Sequence, residues 1–377
     1  MALDRTSLSL WERADLLAAQ LSAVGAALYS AITGAFRGKS GASSYMLHVG
    51  NAMIRSLVGR LSSRQLQYVY PSTKSAYESF MKSKGLEPEN VTLNHGATGH
   101  WIGDKNAKNV VVYNHGGGFA IPASEGHFDF YTSIINHLNA SNPSHGDIAI
   151  FFVAYTLTPH ETYPTQLRQS ISALQYILTE THRSPENIIL GGDSAGGNLA
   201  LAVLLHLVHP HPDIEPLGPL LDGHPPLAGV FAFAPWVSYN LDGATIKGNR
   251  KKDMIPAKVL VDWSRGYLAS GSSTNGGTKE DEVREGDAWS EPNKAPVEWW
   301  RDAREKTDSV LFLAGRDEIL FSGIEAFVEK VKSVIPDATY VVGHGETHVA
   351  PVYSGQFLSE EAQQGKALKS WLAARLW

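Results

Sequence analysis

The sequence predicts an α/β fold, a mostly parallel central sheet covered by helices on both faces, on three observations. Short apolar runs alternate with longer segments of helical character along most of the chain. Those short runs are apolar at nearly every position, as strands covered on both faces must be. One of them, Asn187-Ile188-Ile189-Leu190, leads into a glycine-rich turn and then a helical segment. The 43% hydrophobic content of the 377 residues suffices for one large core, although length alone also admits two domains.

Taken in order, residues 1–5 lack the charged-then-apolar order of a secretory signal, so an intracellular, cytoplasmic location is expected. Residues 16–36 carry no charge, and Leu10, Leu17, Leu21, Val24, Leu28 and Ile32 recur at helical spacing. This predicts an amphipathic helix whose apolar stripe docks on the enzyme over the pocket mouth; contact with a membrane surface, or a span, stays open. Helical pattern continues over 40–84, with a break at Tyr70-Pro71. A hairpin is expected from 91–93 and 100–102, then strands at 109–113 and 147–155 and a helix at 165–180.

A strand at 187–190 and a helix at 199–209 follow, then a proline-rich surface connection over 210–226 and a strand at 230–234. From 238 to 300 the rhythm is lost, and 270–292 is rich in Gly, Ser, Thr and charge, which reads as a mobile insertion. The rhythm returns with strands at 309–314 and 339–342 and helices at 321–334 and 366–376.

Composition removes several functions. A net charge of −6 and a pI near 6.2 give no basic footprint, so no nucleic-acid partner is expected. Without cysteine there is no disulfide, thiolate metal site or cysteine nucleophile. His206, His209 and His211 fit no metal spacing, and no metal or organic cofactor is expected.

The chemistry lies in three stretches. Gly192-Asp193-Ser194-Ala195-Gly196, between a buried strand and a buried helix, is a nucleophile elbow: small neighbours allow a sharp turn that holds the serine exposed. Upstream, His115-Gly116-Gly117-Gly118-Phe119 follows a strand, and its N–H groups can approach a substrate oxygen closely enough to form an oxyanion hole. His115 reads as a brace for this loop. A serine needs an imidazole base, and the imidazole needs an acid. In α/β-hydrolases these follow in the order Ser, acid, His, each after a strand. Asp317 in Gly315-Arg316-Asp317-Glu318 is the expected acid, preferred to Glu318, and His348 the expected base, preferred to His344.

These segments, together with Leu157-Thr158-Pro159-His160-Glu161-Thr162-Tyr163-Pro164 and Gly345-Glu346-Thr347-His348, resemble the hormone-sensitive-lipase-like branch of the α/β-hydrolases. Fungal esterases and enzymes of natural-product pathways are the members they resemble most. The resemblance implies a triad of Ser194, Asp317 and His348, and an oxyanion hole from the N–H groups of Gly117, Gly118 and Ala195. It also implies a helical cap built from 1–83 and an insertion at 238–298, over a catalytic domain at 84–377. A small apolar ester or lactone, such as a secondary metabolite, is the expected substrate, with Phe119 and Trp236 among the residues expected to bind it. Hydrolysis, acyl transfer from the same acyl-enzyme and cyclisation are not separated by sequence, because they differ in whether the pocket excludes water. A non-catalytic receptor of this fold is disfavoured by retention of all three triad residues. Oligomeric state is not encoded in any motif.

Overall fold

The computed structural model describes residues 7–141, 147–270, 283–353, 355 and 361–376. Residues 1–6, and residues 271–282 of the glycine- and serine-rich stretch, lie outside these. The core is an eight-stranded sheet in the order β1-β2-β4-β3-β5-β6-β7-β8. Its strands are β1 (Asn90–Thr92), β2 (Thr98–Ile102), β3 (Asn109–Asn114), β4 (Ile148–Ala154), β5 (Ile188–Asp193), β6 (Gly229–Phe233), β7 (Val310–Gly315) and β8 (Thr339–Gly343). The hairpin β1–β2 joins antiparallel to β4, and every pairing from β4 to β8 is parallel. β3, β5, β6 and β7 are buried at every position, which is why they are legible as continuous apolar runs.

The layers are made by α5 (Glu125–Ser141), α6 (Thr165–Thr179), α7 (Ala195–His206), α11 (Phe321–Lys332) and α12 (Gln363–Ala373). α7 is buried along its whole length and starts at Ala195, ahead of the expected start at 199, because Gly196 and Gly197 continue the helix instead of forming a loop. β4 and β5 flank β3 on opposite sides, so the connections after β3 and β5 diverge and leave a crevice at their carboxyl ends. Such a reversal point is where parallel sheets place ligands.

Four helices precede the sheet: α1 (Leu10–Thr33), α2 (Tyr45–Arg60), α3 (Ser63–Val69) and α4 (Thr73–Ser83). The helix expected over the first stretch is present as α1, opened by a capping box between Ser9 and Glu12. Its orientation reverses the expectation. Ala19, Ala23 and Ser30 are its buried residues, and the small-residue side lies against α2. Ser22–Ser56, Arg60–Asp15 and Tyr45 Oη to the Ala31 carbonyl tie the two helices together. The large apolar residues point outward: Leu17, Leu21, Leu28 and Ile32 are 60–77% exposed. Small side chains let two helices approach closely, so the stripe is left for something other than the pocket.

Within 238–298 the chain forms α8 (Ala244–Gly248) and α9 (Ala257–Leu268), and α10 (Val297–Ala303) follows. Neither α5 nor these helices is among the elements expected from the sequence, although Phe128, Tyr131, Ile135 and Leu138 of α5 and Val259, Leu260, Trp263 and Tyr267 of α9 recur at helical spacing and are buried.

Candidate active site

Ser194 is the hinge between β5 and α7, at φ 53° and ψ −116°. This left-handed conformation is unfavourable for a residue with a side chain and is held by its surroundings. Its N–H donates to the Phe233 carbonyl at 2.8 Å, and its carbonyl accepts from Trp236 N at 3.0 Å. A Cβ at position 196 would stand 2.0 Å from the Asn114 carbonyl oxygen, so glycine is required where β3 passes under the turn. Ala195, the first residue of α7, presents an N–H with no helical carbonyl within reach.

The loop after β3 carries the glycines. Gly117 and Gly118 have φ of 103° and 61°, and a Cβ on Gly118 would fall 2.0 Å from the Trp263 ring. His115 is fully buried, stacks on Tyr155 at 4.5 Å and contacts the Gly116 carbonyl through Nδ1. Burial and the neighbouring His127 lower its pKa to about 4, so it is neutral at physiological pH.

Asp193, a residue the sequence does not single out, ties this loop to the elbow. Its carboxylate accepts from Gly116 N at 2.8 Å and from Tyr113 Oη, with His127 Nε2 at 3.5 Å. Burial pushes its pKa up, but His127 and the donated hydrogen bonds outweigh that and hold it below the usual carboxylate value.

His348 lies on the turn after β8 and is buried, whereas His344 is exposed. The acid facing His348 is not Asp317. Glu318 Oε2 lies 2.6 Å from His348 Nδ1, and Glu318 Oε1 accepts Gly315 N at 2.7 Å. Asp317 points the other way, 2.7 Å from Lys252 Nζ. The two acids are consecutive on a tight turn, so their side chains diverge, and the longer Glu318 folds back under the end of β7 to reach the imidazole. Burial by itself would lower the pKa of His348, but the hydrogen bond and charge of Glu318, with Asp253 and Asp193 nearby, raise it above its ordinary value.

Ser194, His348, Gly117 and Gly118 all line one cavity of about 590 Å³. Its remaining wall is mostly apolar and includes Ile54 and Val58 of α2, Phe80 of α4, Ile121 beyond the glycine loop, Met254 and Ile255, and Trp263 of α9. Nε2 of His348 has no hydrogen-bond partner among the described residues and is the imidazole nitrogen left for the serine or a substrate. The expected binding residues Phe119 and Trp236 are not in this wall. Both are buried beneath it, Phe119 stacked on Tyr267 at 3.7 Å and packed beside Trp236 at 6.1 Å. The positive φ of Phe119 (61°) turns its ring into the core, and Trp263 takes the place at the cavity.

The glycine loop is also gripped from outside. Gln67 of α3 donates through Nε2 to the carbonyls of Ala120 (2.8 Å) and Thr158 (2.7 Å), and its Oε1 lies 2.9 Å from His160 Nε2.

The sequence profile of a family described as steryl acetyl hydrolase matches residues 98–358. Steryl acetyl hydrolase 1 of Saccharomyces cerevisiae is 23% identical over 350 residues, 81% of this chain and 75% of that protein. An α/β hydrolase of Acanthamoeba polyphaga mimivirus is 31% identical over 127 residues, 32% of this chain and only 34% of that protein. Among solved structures, an esterase of the bacterial hormone-sensitive lipase family superposes with a TM-score of 0.62 at 21% identity, over 89% of this chain and all of that one. The carboxyl esterase 2 of Tuber melanosporum superposes with a TM-score of 0.57 at 18% identity, over 77% of this chain and 86% of that one. By the extent of the profile match, and with the fold of these esterases, the chain belongs to the steryl acetyl hydrolase family.

Proposed function

We propose that this member of an ester-hydrolase family cleaves an apolar carboxylic ester through an acyl-enzyme on Ser194. The observation that carries the reading is the convergence of Ser194, Nε2 of His348 and the glycine loop on one apolar cavity. His348 takes the Ser194 proton as Oγ attacks the ester carbonyl. Glu318 holds the imidazole in the tautomer with Nδ1 protonated and stabilises the imidazolium. The N–H groups of Gly117, Gly118 and Ala195 receive the oxyanion. His348 then protonates the leaving alcohol, and a water activated by the same base releases the acid.

Residues 1–83 and 238–298 act as the cap over the catalytic domain, a division supported by the contributions of α2, α4, Met254, Ile255 and Trp263 to the cavity wall. The cavity falls within the range of about 300–1,000 Å³ usual for small-molecule sites. The name of the family and of the yeast relative points to an acetyl ester of a sterol as the substrate class. The apolar wall suits the bulky alcohol. Purified enzyme incubated with a sterol acetate should release sterol and acetate, measured by chromatography; turnover of soluble short esters with none of the sterol acetate would reject the substrate class.

Such a substrate resides in membranes, and α1 offers a route to one. Its outward stripe, with Trp11, Tyr29 and Phe36 also exposed, fits a helix lying in a bilayer surface. The segment Leu10–Phe36 is long and apolar enough to cross a membrane, but packing of its small-residue side on α2 favours the surface orientation. At about 1.5–3 kcal/mol per buried leucine, the double substitution Leu21→Glu and Leu28→Glu should weaken vesicle binding about 100-fold or more. Co-sedimentation with phosphatidylcholine vesicles measures this, and equal pelleting of both proteins would refute surface docking.

A further inference from the structure

Beneath the triad lies a third carboxylate that the mechanism above does not use. Asp253 is fully buried in the turn that leads into α9. Oδ1 accepts the N–H groups of Met254 at 2.8 Å and His348 at 3.3 Å, and Oδ2 accepts Ile319 N at 2.8 Å. One side chain thus binds the backbone of the base itself and of the residue that follows Glu318. The same turn grips the acid from a second point, because Asn249 Nδ2 donates to the carbonyls of Arg316 (3.0 Å) and Glu318 (2.9 Å). From the other side α2 holds the turn: Asn51 Nδ2 donates to the Lys252 carbonyl at 2.8 Å, and Arg55 donates to that of Asp253.

We infer that Asp253 is a positioning residue for the Glu318–His348 pair, setting the spacing between acid and base by binding the backbone of both loops. A buried carboxylate costs several kcal/mol to desolvate in the absence of compensation, and three backbone donors supply that compensation only if the two loops are held in this register. The ionisable groups facing Asp253 are His348, Glu318 and, from α2, Arg55. Burial raises its pKa to about 6, and above that pH its anion stabilises the His348 imidazolium.

The inference rests on the proposed esterase mechanism, and its test separates the two. Asp253→Asn keeps the size and one acceptor but loses the charge and one link. A misplacement of the base by a fraction of an ångström to an ångström should lower kcat about 10- to 100-fold with KM nearly unchanged. The acidic limb of the pH–rate profile should also move to lower pH, because the imidazolium loses a neighbouring anion. Turnover of a chromogenic acetate ester, read beside a thermal melt, measures both. A folded Asp253→Asn protein with wild-type kcat and pH profile, or one impaired only in KM, would overturn the inference. If that variant does not fold, Asn249→Ala, which frees the acid turn at its other end, must show the same fall in kcat at constant KM, and its absence would overturn it equally. An inactive wild type that also fails to react with a fluorophosphonate would overturn the esterase mechanism and this inference together; a reactive wild type with an unaffected variant removes only the role of Asp253.

Discussion

Ser194→Ala should abolish covalent labelling by a fluorophosphonate and lower ester turnover by about 10⁴-fold or more, the loss expected if Ser194 is the proposed nucleophile. The elbow should survive the change. The backbone bonds of residue 194 to Phe233 and Trp236 do not involve the hydroxyl, and alanine meets the same constraint at φ 53° that serine does. Intact-protein mass spectrometry with and without probe, together with rates on a chromogenic short ester, is the measurement. Turnover near wild type in this variant would sink the whole mechanism, because Ser194 is the hydroxyl at the hinge of β5 and α7 on the cavity.

Glu318→Gln should be nearly as damaging, about 10⁴-fold in kcat, since an amide in place of the acid can hold the imidazole in the wrong tautomer. Its pH signature follows from the direction of the His348 shift. The base must be neutral to accept the serine proton, and Glu318 favours the charged form, so wild-type activity should fall on acidification with a midpoint above the ordinary imidazole value of about 6.5. Without the carboxylate that midpoint moves down. Asp317→Asn has no such effect: it breaks the pair with Lys252, a cation 20% exposed, and should change kcat by no more than about threefold. A dead Asp317→Asn protein beside an active Glu318→Gln one would return the acid to position 317.

That exchange marks the limit of what can be read without coordinates. Strands buried on both faces are visible as apolar runs, and a serine between Gly192 and Gly196 is visible because only such neighbours fit beneath it. Which of two consecutive acids faces the histidine depends on the roll of a turn, and the turn is set by residues 249–254, far off in sequence. α1 illustrates a different limit. Helical period tells which side is apolar, but the side that packs was decided by size, with alanine and serine against α2. Phe119 fails for a third reason, since its backbone sign, and so the direction of its ring, has no compositional marker.

The grip of Gln67 bears on how specificity in this scaffold could be redesigned. One amide holds the carbonyls of Ala120 and Thr158, so α3 is mechanically part of the glycine loop although it belongs to the helices that precede the sheet. A chimera that imports all four leading helices from a relative would exchange this strut along with the cavity wall, and would confound altered selectivity with a distorted loop. Grafts confined to the wall positions of α2 and α4, with α3 retained, would separate the two and leave the geometry of the glycine loop intact.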